Sequence, residues 1–454
     1  MSVPPTPDEL APPSPPSFPE AFRYWLKLGF ISFGGPAGQI ALMHADLVEK
    51  KRWISERRFM HALNYCMALP GPEAQQLATY IGWLMHRTPG GLVAGGLFVL
   101  PSLLILIGLT WIYMAFGGVP AVLGILYGIK PAVTAIVIFA AYRIGSRALR
   151  NRWLWSLAAV AFLAIFAFDV PFPVIVLGAG VIGYLGGRVA PEQFQLGGGH
   201  QAAGQRFGPA LIDDYTPTPA HALFAWGRCG RVLMVGLGLW SAALAALAGV
   251  HGWDGALVQM GWFFTKVALL TFGGAYAVLP YVFQGAVEHY QWLSVQQMMD
   301  GLALGETTPG PLIIVVAFVG FVGGWNQALF GADSLFLAGA TAAAVVAFFT
   351  FLPSFIFIQL GGPLVEATHG KLKFTAPLTG ITAAVVGVIV NLAVFFAYHV
   401  LWPAGFGGSF EWAAAVLGLG AAVALFRYRV GVIPVIAGCG LLGMPLLLAK
   451  PLLG

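Results

Sequence analysis

The chain carries many apolar segments of 18 or more residues, spread from residue 22 to residue 449. Such a segment, as a helix, is long enough to cross the hydrocarbon core of a bilayer. The runs are too long for strands and lack the alternation of apolar and polar residues that a membrane barrel shows. Only 9% of the residues are charged, whereas a soluble domain carries about 25%. A soluble enzyme, a secreted disulfide scaffold and a disordered chain are therefore excluded, and the sequence predicts an all-α polytopic integral membrane protein.

The sequence repeats itself at an offset of 239 residues. In that register Phe33-Gly34-Gly35 aligns with Phe272-Gly273-Gly274, and Pro70-Gly71-Pro72 aligns with Pro309-Gly310-Pro311. Across positions 27–72, 13 of 46 residues are identical without a gap, among them a lysine, a glutamate, a tryptophan and a serine. Two matched tripeptides together with these residue types indicate two homologous halves rather than chance similarity. Two later pairs need a shifted register: Pro101-Ser102 with Pro353-Ser354, and Pro173-Val174-Ile175 with Pro434-Val435-Ile436.

Lysine and arginine in the loops predict how the two halves lie in the membrane. The first half has five such residues within 50–58 and four within 143–152, whereas the matching stretches 288–297 and 400–410 have none. Four bases of the second half fall in loops whose first-half counterparts lack them: Lys371, Lys373, Arg427 and Arg429. Because basic loops mark the cytoplasmic side, the mirrored pattern predicts inverted-topology repeats, which are typical of secondary transporters.

The repeat divides the chain into four predicted regions. Residues 1–19, rich in proline, form a disordered cytoplasmic tail, and residues 20–188 form the first transmembrane repeat. Residues 189–256 form a polar linker with a connecting transmembrane helix, and residues 257–450 form the second, inverted repeat.

Two apolar segments of each half are predicted to be broken or re-entrant. Three apolar segments separate the basic loops at 49–58 and 143–152, and this odd number requires one segment to enter and leave on the same side. Pro70-Gly71-Pro72 is the best position for a break, because proline lacks a backbone donor and glycine tolerates positive φ. Phe33-Gly34-Gly35-Pro36 is a second such position. Ordinary single spans with exceptions to the charge rule are the alternative.

A helix starts after each Pro-Gly-Pro, and there the sequence predicts an anion site. The first N–H groups of a helix lack intrahelical partners and carry positive potential. Inverted halves would aim two such helix starts at one region, and glycines let a ligand approach the backbone closely. The predicted backbone contacts are Gly34, Gly35, Pro70, Gly71, Pro72, Gly273, Gly274, Pro309, Gly310 and Pro311. The alternative is that these residues only shape kinks and tight packing.

Polar side chains near the breaks complete the predicted substrate site. Lys27, Lys130 and Lys266 would attract an anion, although a lysine near an interface can also snorkel to water. The predicted hydrogen-bonding side chains are Ser32, Asn64, Gln75, Gln76, Thr271, Thr307 and Thr308, for which interhelical hydrogen bonds are the alternative. Glu73 and Glu306 are candidates for binding a coupling proton or, alternatively, are plain helix caps. The sequence shows no catalytic, metal, cofactor or nucleic-acid motif, so transport is predicted to run on ion gradients or membrane potential.

These motifs resemble the chromate ion transporter family, in its long form with two fused homologous halves. The matching residues are Phe33-Gly34-Gly35-Pro36, Leu69-Pro70-Gly71-Pro72-Glu73 with Gln76-Leu77-Ala78, Lys130-Pro131-Ala132-Val133, Phe272-Gly273-Gly274-Ala275-Tyr276 and Thr308-Pro309-Gly310-Pro311. The resemblance covers most of residues 20–450. It implies a multi-pass protein of the bacterial inner membrane that exports chromate, a tetrahedral divalent oxyanion, and it leaves a homodimer open.

Three other functions stay open at this point. The first is a transporter of sulfate or another small anion, and the second is a passive anion channel on the same scaffold. The third is a membrane-embedded enzyme such as a chromate reductase. Such an enzyme would need haem ligands, a flavin site or paired thiols, whereas the three cysteines are scattered at positions 66, 229 and 439.

Overall fold

The computed structural model describes residues 13–194, 207–368 and 375–453. Helices dominate these ranges, in which the β pairing is limited to one isolated bridge between Ile54 and Ile212. Six helices of the described residues are long and apolar enough to cross a membrane, and five more are apolar but shorter. The predicted all-α polytopic membrane fold is thereby confirmed. Residues 1–12 of the predicted tail lie outside the described ranges, and the first helix begins at Phe18.

In the described residues the first half has seven helices and the second half has eight. The first half contains α1 (Phe18–Ile31), α2 (Gly35–His44), α3 (Glu56–Ala68), α4 (Glu73–Phe116), α5 (Pro120–Ala148), α6 (Arg152–Phe168) and α7 (Phe172–Val189). A long helix, α8 (Trp226–His251), connects the halves. The second half contains α9 (Ala256–Leu270), α10 (Ala275–Phe283), α11 (Val295–Thr307), α12 (Val315–Asn326), α13 (Leu335–Thr368), α14 (Thr375–Leu401), α15 (Trp412–Phe426) and α16 (Val432–Leu453).

The four predicted breaks are confirmed as helix ends. Gly34 and Gly35 have φ of 90° and 71° between α1 and α2, and Gly71 has φ of 126° between α3 and α4. In the second half Gly273 and Gly310 have φ of 77° and 85° at the corresponding positions. These values lie in the left-handed region that glycine alone adopts without strain. The inverted orientation of the two halves stays a prediction.

The loops that precede α3 and α11 have the same local structure. α2 continues into a π-helical segment, Ala45–Lys50, and α10 continues into Gln284–His289. Ser55 then caps α3 by accepting the N–H of Arg58, and Ser294 caps α11 by accepting the N–H of Gln297. Serine is among the best residues for this role because its hydroxyl satisfies an orphan N–H. The matched serines of the repeat therefore fix where each hairpin helix begins.

The first long helix joins two segments that the sequence separated. The sequence predicts an apolar run at 59–86 that is broken at Pro70-Gly71-Pro72, and a separate apolar run at 90–115. In the structure α4 covers Glu73–Phe116 and bends between these two runs, where His86 and Arg87 are not helical. Arg87 adopts φ of 57° and ψ of −158°. The part of α4 before this bend forms a short hairpin with α3, and the part after it is long enough to cross a membrane.

Helices of the two halves interdigitate. α14 of the second half packs against α5, α6 and α7 of the first, and α5 packs against α15 and α16. Two crossings depend on glycine: a Cβ on Gly128 would lie 1.9 Å from the carbonyl oxygen of Cys439, and a Cβ on Gly387 would lie 2.0 Å from that of Ala158. Small residues let helix backbones approach closely in membranes. Neither half therefore forms a separate packed body.

The described part of the linker docks on the loop at 50–58 of the first half, which the sequence predicts to be cytoplasmic. The N–H of Leu211 donates to the carbonyl of Arg52 at 2.9 Å, and the Ser55 hydroxyl donates to Asp214 at 2.6 Å. The predicted linker residues 195–206 lie outside the described ranges.

Opposite membrane sides are expected for two matched positions. Lys50 and His289 are both exposed and stand 239 residues apart. We expect cysteines introduced at these positions, in a chain whose three native cysteines are replaced by serine, to react with an impermeant thiol reagent from opposite sides. Labelling in right-side-out and everted vesicles measures this, and labelling of both positions from one side would contradict the inverted repeat.

Candidate anion site at four helix breaks

The breaks of one half bind the breaks of the other. The N–H of Gly71 donates to the carbonyl of Thr271 at 2.7 Å, and the N–H of Gly310 donates to the carbonyl of Ser32 at 2.8 Å. Each Pro-Gly-Pro break is thus paired with the Phe-Gly-Gly break of the opposite half. The reciprocal pairing brings all four predicted breaks to one place in the molecule.

A narrow cavity lies where the four breaks meet. Its lining residues are Pro36, Gln39, Pro72, Glu73, Ala74, Gly274, Ala275, Pro311, Leu312 and Ile313. These residues include the first turns of α2, α4 and α10, and the 3-10 turn Leu312–Ile314 that leads into α12. The starts of four helical segments therefore face one point, and each start offers N–H groups without intrahelical partners. Their combined potential is positive and favours an anion.

Gln39 is a buried amide in the cavity wall that the sequence did not single out. Its side chain is 1% exposed, and its Nε2 donates to the carbonyls of Ser32 and Gly310. Its Oε1 is buried and has no hydrogen-bond partner among the described residues. The sequence feature that could have indicated Gln39 is its position: it is a polar residue in an apolar run, four residues after Gly35.

Two buried serines pack against the Pro-Gly-Pro breaks and were also missed. A Cβ on Gly310 would lie 1.9 Å from Ser102 Oγ, and a Cβ on Gly71 would lie 2.5 Å from Ser354 Oγ. Both hydroxyls are buried without a hydrogen-bond partner among the described residues. The signal was present in the sequence, because Pro101-Ser102 and Pro353-Ser354 are a repeated pair.

The two predicted glutamines form hydrogen bonds next to the first Pro-Gly-Pro break. Gln76 Nε2 donates to the carbonyl of Pro70 at 2.8 Å, and Gln75 Nε2 donates to the Thr79 hydroxyl at 3.1 Å. Both glutamines are fully buried. Neither lines the cavity: Gln76 holds the loop that leads into α4, and Gln75 bonds within α4 itself.

The predicted hydroxyl groups bind their own helices. Ser32 Oγ donates to the carbonyl of Leu28 at 2.6 Å, and Thr271 Oγ1 donates to that of Val267 at 2.7 Å. Two further threonines behave alike: Thr307 donates to Leu304 and Thr308 donates to Gly305. The contribution of Ser32 and Thr271 to the site is therefore their backbone carbonyls, which join the two halves.

The predicted lysines lie outside the cavity wall. Lys27 is exposed on α1, and Lys266 is partly buried on α9, with its Nζ 6.0 Å from the centre of the Phe263 ring. Lys130 Nζ lies 3.9 Å from a carboxylate oxygen of Asp300. A fourth predicted side chain, Asn64, is partly buried on α3.

The two predicted coupling carboxylates have different surroundings. Glu73 lines the cavity as the first residue of α4. Glu306 accepts a hydrogen bond from the Tyr276 hydroxyl, and the positive charge of Arg143 acts on it. Only Glu73 thus shares the potential of the four helix starts, since Glu306 is not part of the wall.

Comparison with known proteins shows the family to which the chain is related. The chromate transporter family matches residues 19–184 and 258–444. The chain is 30% identical over 463 residues, covering 100% of both chains, to the chromate transport protein of Cupriavidus metallidurans. It is 33% identical over 380 residues to the chromate transport protein of Pseudomonas aeruginosa, covering 83% of this chain and 80% of that one.

A shorter relative matches one half. An uncharacterized transporter of Bacillus subtilis is 28% identical over 167 residues, which is 94% of its length and 36% of this chain. No solved structure matches the chain. The relatives are named as transporters, which agrees with a transport protein rather than an enzyme. The family match extends over both halves, from α1 to α7 and from α9 to α16, and the chain belongs to the chromate transporter family.

Proposed function

We propose that this protein is a secondary transporter that exports chromate across the bacterial inner membrane. The observation that supports this most is the meeting of four helix starts at one cavity. Chromate is a tetrahedral dianion whose oxygens accept N–H hydrogen bonds, and helix starts offer such donors at membrane depth. The relatives named as chromate transport proteins in Cupriavidus and Pseudomonas favour chromate as the substrate.

The membrane potential supports export as the direction. Moving a dianion out of a cell with a negative interior is favourable by about 4.6 kcal/mol of free energy per 100 mV, twice the value for one elementary charge. Export therefore needs no nucleotide hydrolysis, which agrees with a sequence that lacks a nucleotide-binding motif. We place the N-terminal tail and the basic loop at 50–58 in the cytoplasm, because basic loops stay on that side.

A change of shape is part of this proposal. The cavity volume is about 10 Å³, which suits about one water molecule and is too small for a tetrahedral oxyanion. The wall must therefore widen when substrate enters. The contacts of Gly71 with Thr271 and of Gly310 with Ser32 join the two halves, so we propose that the halves move relative to one another there. Such alternating access distinguishes a carrier from a channel.

Glu73 is the first candidate for coupling to protons. Its carboxylate and a bound oxyanion would compete for the positive potential of the same helix starts. We propose that a proton on Glu73 removes this competition while the dianion is bound. Glu306 is the second candidate, with Tyr276 and Arg143 as its partners. Lys27, Lys130 and Lys266 would act at a distance by raising the local concentration of anions.

Transport of labelled chromate into everted vesicles tests the substrate. We expect saturable uptake that depends on the protein, with sulfate and molybdate as stronger competitors than phosphate, because they share the charge and tetrahedral shape of chromate. Vesicles that lack the protein are the control. Tighter competition by sulfate than by chromate itself would favour a sulfate transporter. Flux that neither saturates nor shows counter-transport would favour a channel, and no uptake of chromate would reject the proposed substrate.

A further inference from the structure

Asp300 forms a polar cluster between the two halves, outside the wall of the anion cavity. It lies on the second turn of α11 and is 2% exposed. The hydroxyl of Tyr113 on α4 donates to its Oδ2 at 3.0 Å, and Lys130 Nζ on α5 lies 3.9 Å from the same oxygen. Both partners belong to the first half. The cluster therefore ties the second hairpin to the opposite half of the molecule.

The pairing of this carboxylate is incomplete. Asp300 Oδ1 is buried and has no hydrogen-bond partner among the described residues. The Lys130 ammonium at 3.9 Å attracts the charge but lies beyond hydrogen-bond length. A carboxylate that stays ionised in an apolar region needs its oxygens hydrogen-bonded as well as a counter-charge. Asp300 has a counter-charge and one hydrogen-bonded oxygen, but its Oδ1 has no partner among the described residues. The site therefore suits a carboxyl group that gains and loses a proton.

A second carboxylate shows what a permanent ion pair looks like in the same protein. Glu366 on α13 is also buried, and both of its oxygens are used. Tyr80 donates to Oε1 at 2.6 Å, and Arg58 Nη1 donates to Oε2 at 3.0 Å. This pair likewise joins a hairpin of one half to a helix of the other. The two clusters differ in the completeness of pairing, which makes Glu366 a matched control for Asp300.

The charged surroundings of Asp300 leave Lys130 as its main electrostatic partner. The side chain of Lys130 is 28% exposed, whereas that of Asp300 is 3% exposed. The lysine thus reaches from the buried cluster towards the surface of the molecule. Of the titratable groups on the packed helices, Tyr113 and Lys130 contact Asp300. The others are Glu73, Tyr80, His86 and Arg87 on α4, Tyr127, Tyr142, Arg143 and Arg147 on α5, Glu306 on α11 itself and Cys439 on α16, while α12 and Leu312–Ile314 carry none.

We propose that Asp300 binds and releases a proton during each transport cycle, with Lys130 as its counter-charge. When Asp300 is ionised, its attraction to Lys130 holds α11 against α4 and α5. When a proton binds to Oδ1, this attraction is lost and the second hairpin is free to move. In the first half the position that matches Asp300 is occupied by His61. The proposed proton-binding carboxylate is therefore a feature of the second half. The coupling to substrate rests on the proposed chromate transport.

Proton movement in proteoliposomes tests this proposal. With a pH-sensitive dye inside the vesicles, a chromate gradient is expected to drive proton movement through the wild-type protein. We expect Asp300→Asn to reduce this movement at least 10-fold while chromate-for-chromate exchange continues. Glu366→Gln together with Arg58→Met is the matched control, because it removes a buried carboxylate and its counter-charge together, and it is expected to keep the proton movement. The double variant Lys130→Met with Asp300→Asn removes both charges together, so that no unpaired charge is left to unfold the protein.

A second readout does not depend on substrate. The infrared difference spectrum between acid and alkaline pH is expected to show the C=O stretch of a buried carboxylic acid. This band is expected to be lost in Asp300→Asn and kept in the control variant Glu366→Gln with Arg58→Met. Proton movement that persists in Asp300→Asn, or an infrared band that this variant leaves unchanged, would overturn the proposal. If the wild-type protein transports no chromate, the proposed function fails, whereas the infrared band still decides whether Asp300 binds the proton.

Discussion

Replacing Gly310 with alanine is expected to reduce chromate transport roughly 30-fold or more, with the protein still inserted in the membrane. Gly310 has φ of 85°, and a side chain there costs about 1–3 kcal/mol of backbone strain. The new methyl group would also lie 1.9 Å from Ser102 Oγ and 3.1 Å from the carbonyl oxygen of Phe98, and overpacking of this kind costs about 1–3 kcal/mol. Even the smaller sum, about 2 kcal/mol, corresponds to roughly a 30-fold change.

Two further variants distinguish the effect of the steric clash at Gly310 on transport from the effect of backbone strain alone. Gly331 has φ of 88° in the loop before α13, and a Cβ there meets nothing within 4 Å. Gly331→Ala therefore carries the strain without the clash, and we expect transport close to that of the wild type. Adding Ser102→Gly to Gly310→Ala removes the colliding side chain and is expected to restore part of the activity. Equal losses in Gly310→Ala and Gly331→Ala, per amount of inserted protein, would show that the break has no special role.

The sequence predicted the helix breaks because their cause is local. Proline lacks a backbone donor and glycine adopts positive φ, so Pro70-Gly71-Pro72 ends a helix whatever surrounds it. The repeat then predicted the same ends in the second half. The bend at Arg87 was not predictable in this way, because arginine has no local preference for φ of 57°. Nor did the sequence show that α14 would pack among α5, α6 and α7, since that depends on contacts between distant segments.

The structure brings the predicted backbone breaks together, but it does not bring all of the predicted side chains to the same cavity. The helix starts after Pro72 and Pro311 line one cavity, whereas the inverted arrangement and the binding of an anion there stay predictions. Lysines in apolar segments suggested direct contact with an anion, but Lys27 is exposed on α1. Asp300 looked isolated in the sequence because its hydroxyl partner, Tyr113, stands 187 residues away. Polar groups that pair only through tertiary packing have no signal in a single sequence.

Replacing Arg58 with methionine is expected to lower the stability of the protein strongly, because it breaks the buried ion pair between Arg58 and Glu366. Their side chains are 12% and 8% exposed, and Arg58 Nη2 also donates to the carbonyl of Thr216 in the linker at 2.6 Å. One residue thus joins the first hairpin, the linker and α13. Arg58→Met would leave the buried Glu366 charge without its partner, which costs about 3–5 kcal/mol. The loss should appear as a lower midpoint of thermal unfolding in detergent.

The double variant Arg58→Met with Glu366→Met decides whether the buried charge causes this loss. Because it removes both charges, we expect it to recover most of the stability that the single variant loses, as replacement of a buried pair by apolar residues often does. Lys50→Ala is the exposed control: the Lys50 side chain is 70% exposed and pairs with Asp46 at 2.9 Å. A surface pair of this kind contributes at most about 1 kcal/mol. If Arg58→Met unfolds at the same temperature as Lys50→Ala, or if the double variant is less stable than Arg58→Met alone, the hairpin is held to α13 by apolar packing and not by this ion pair.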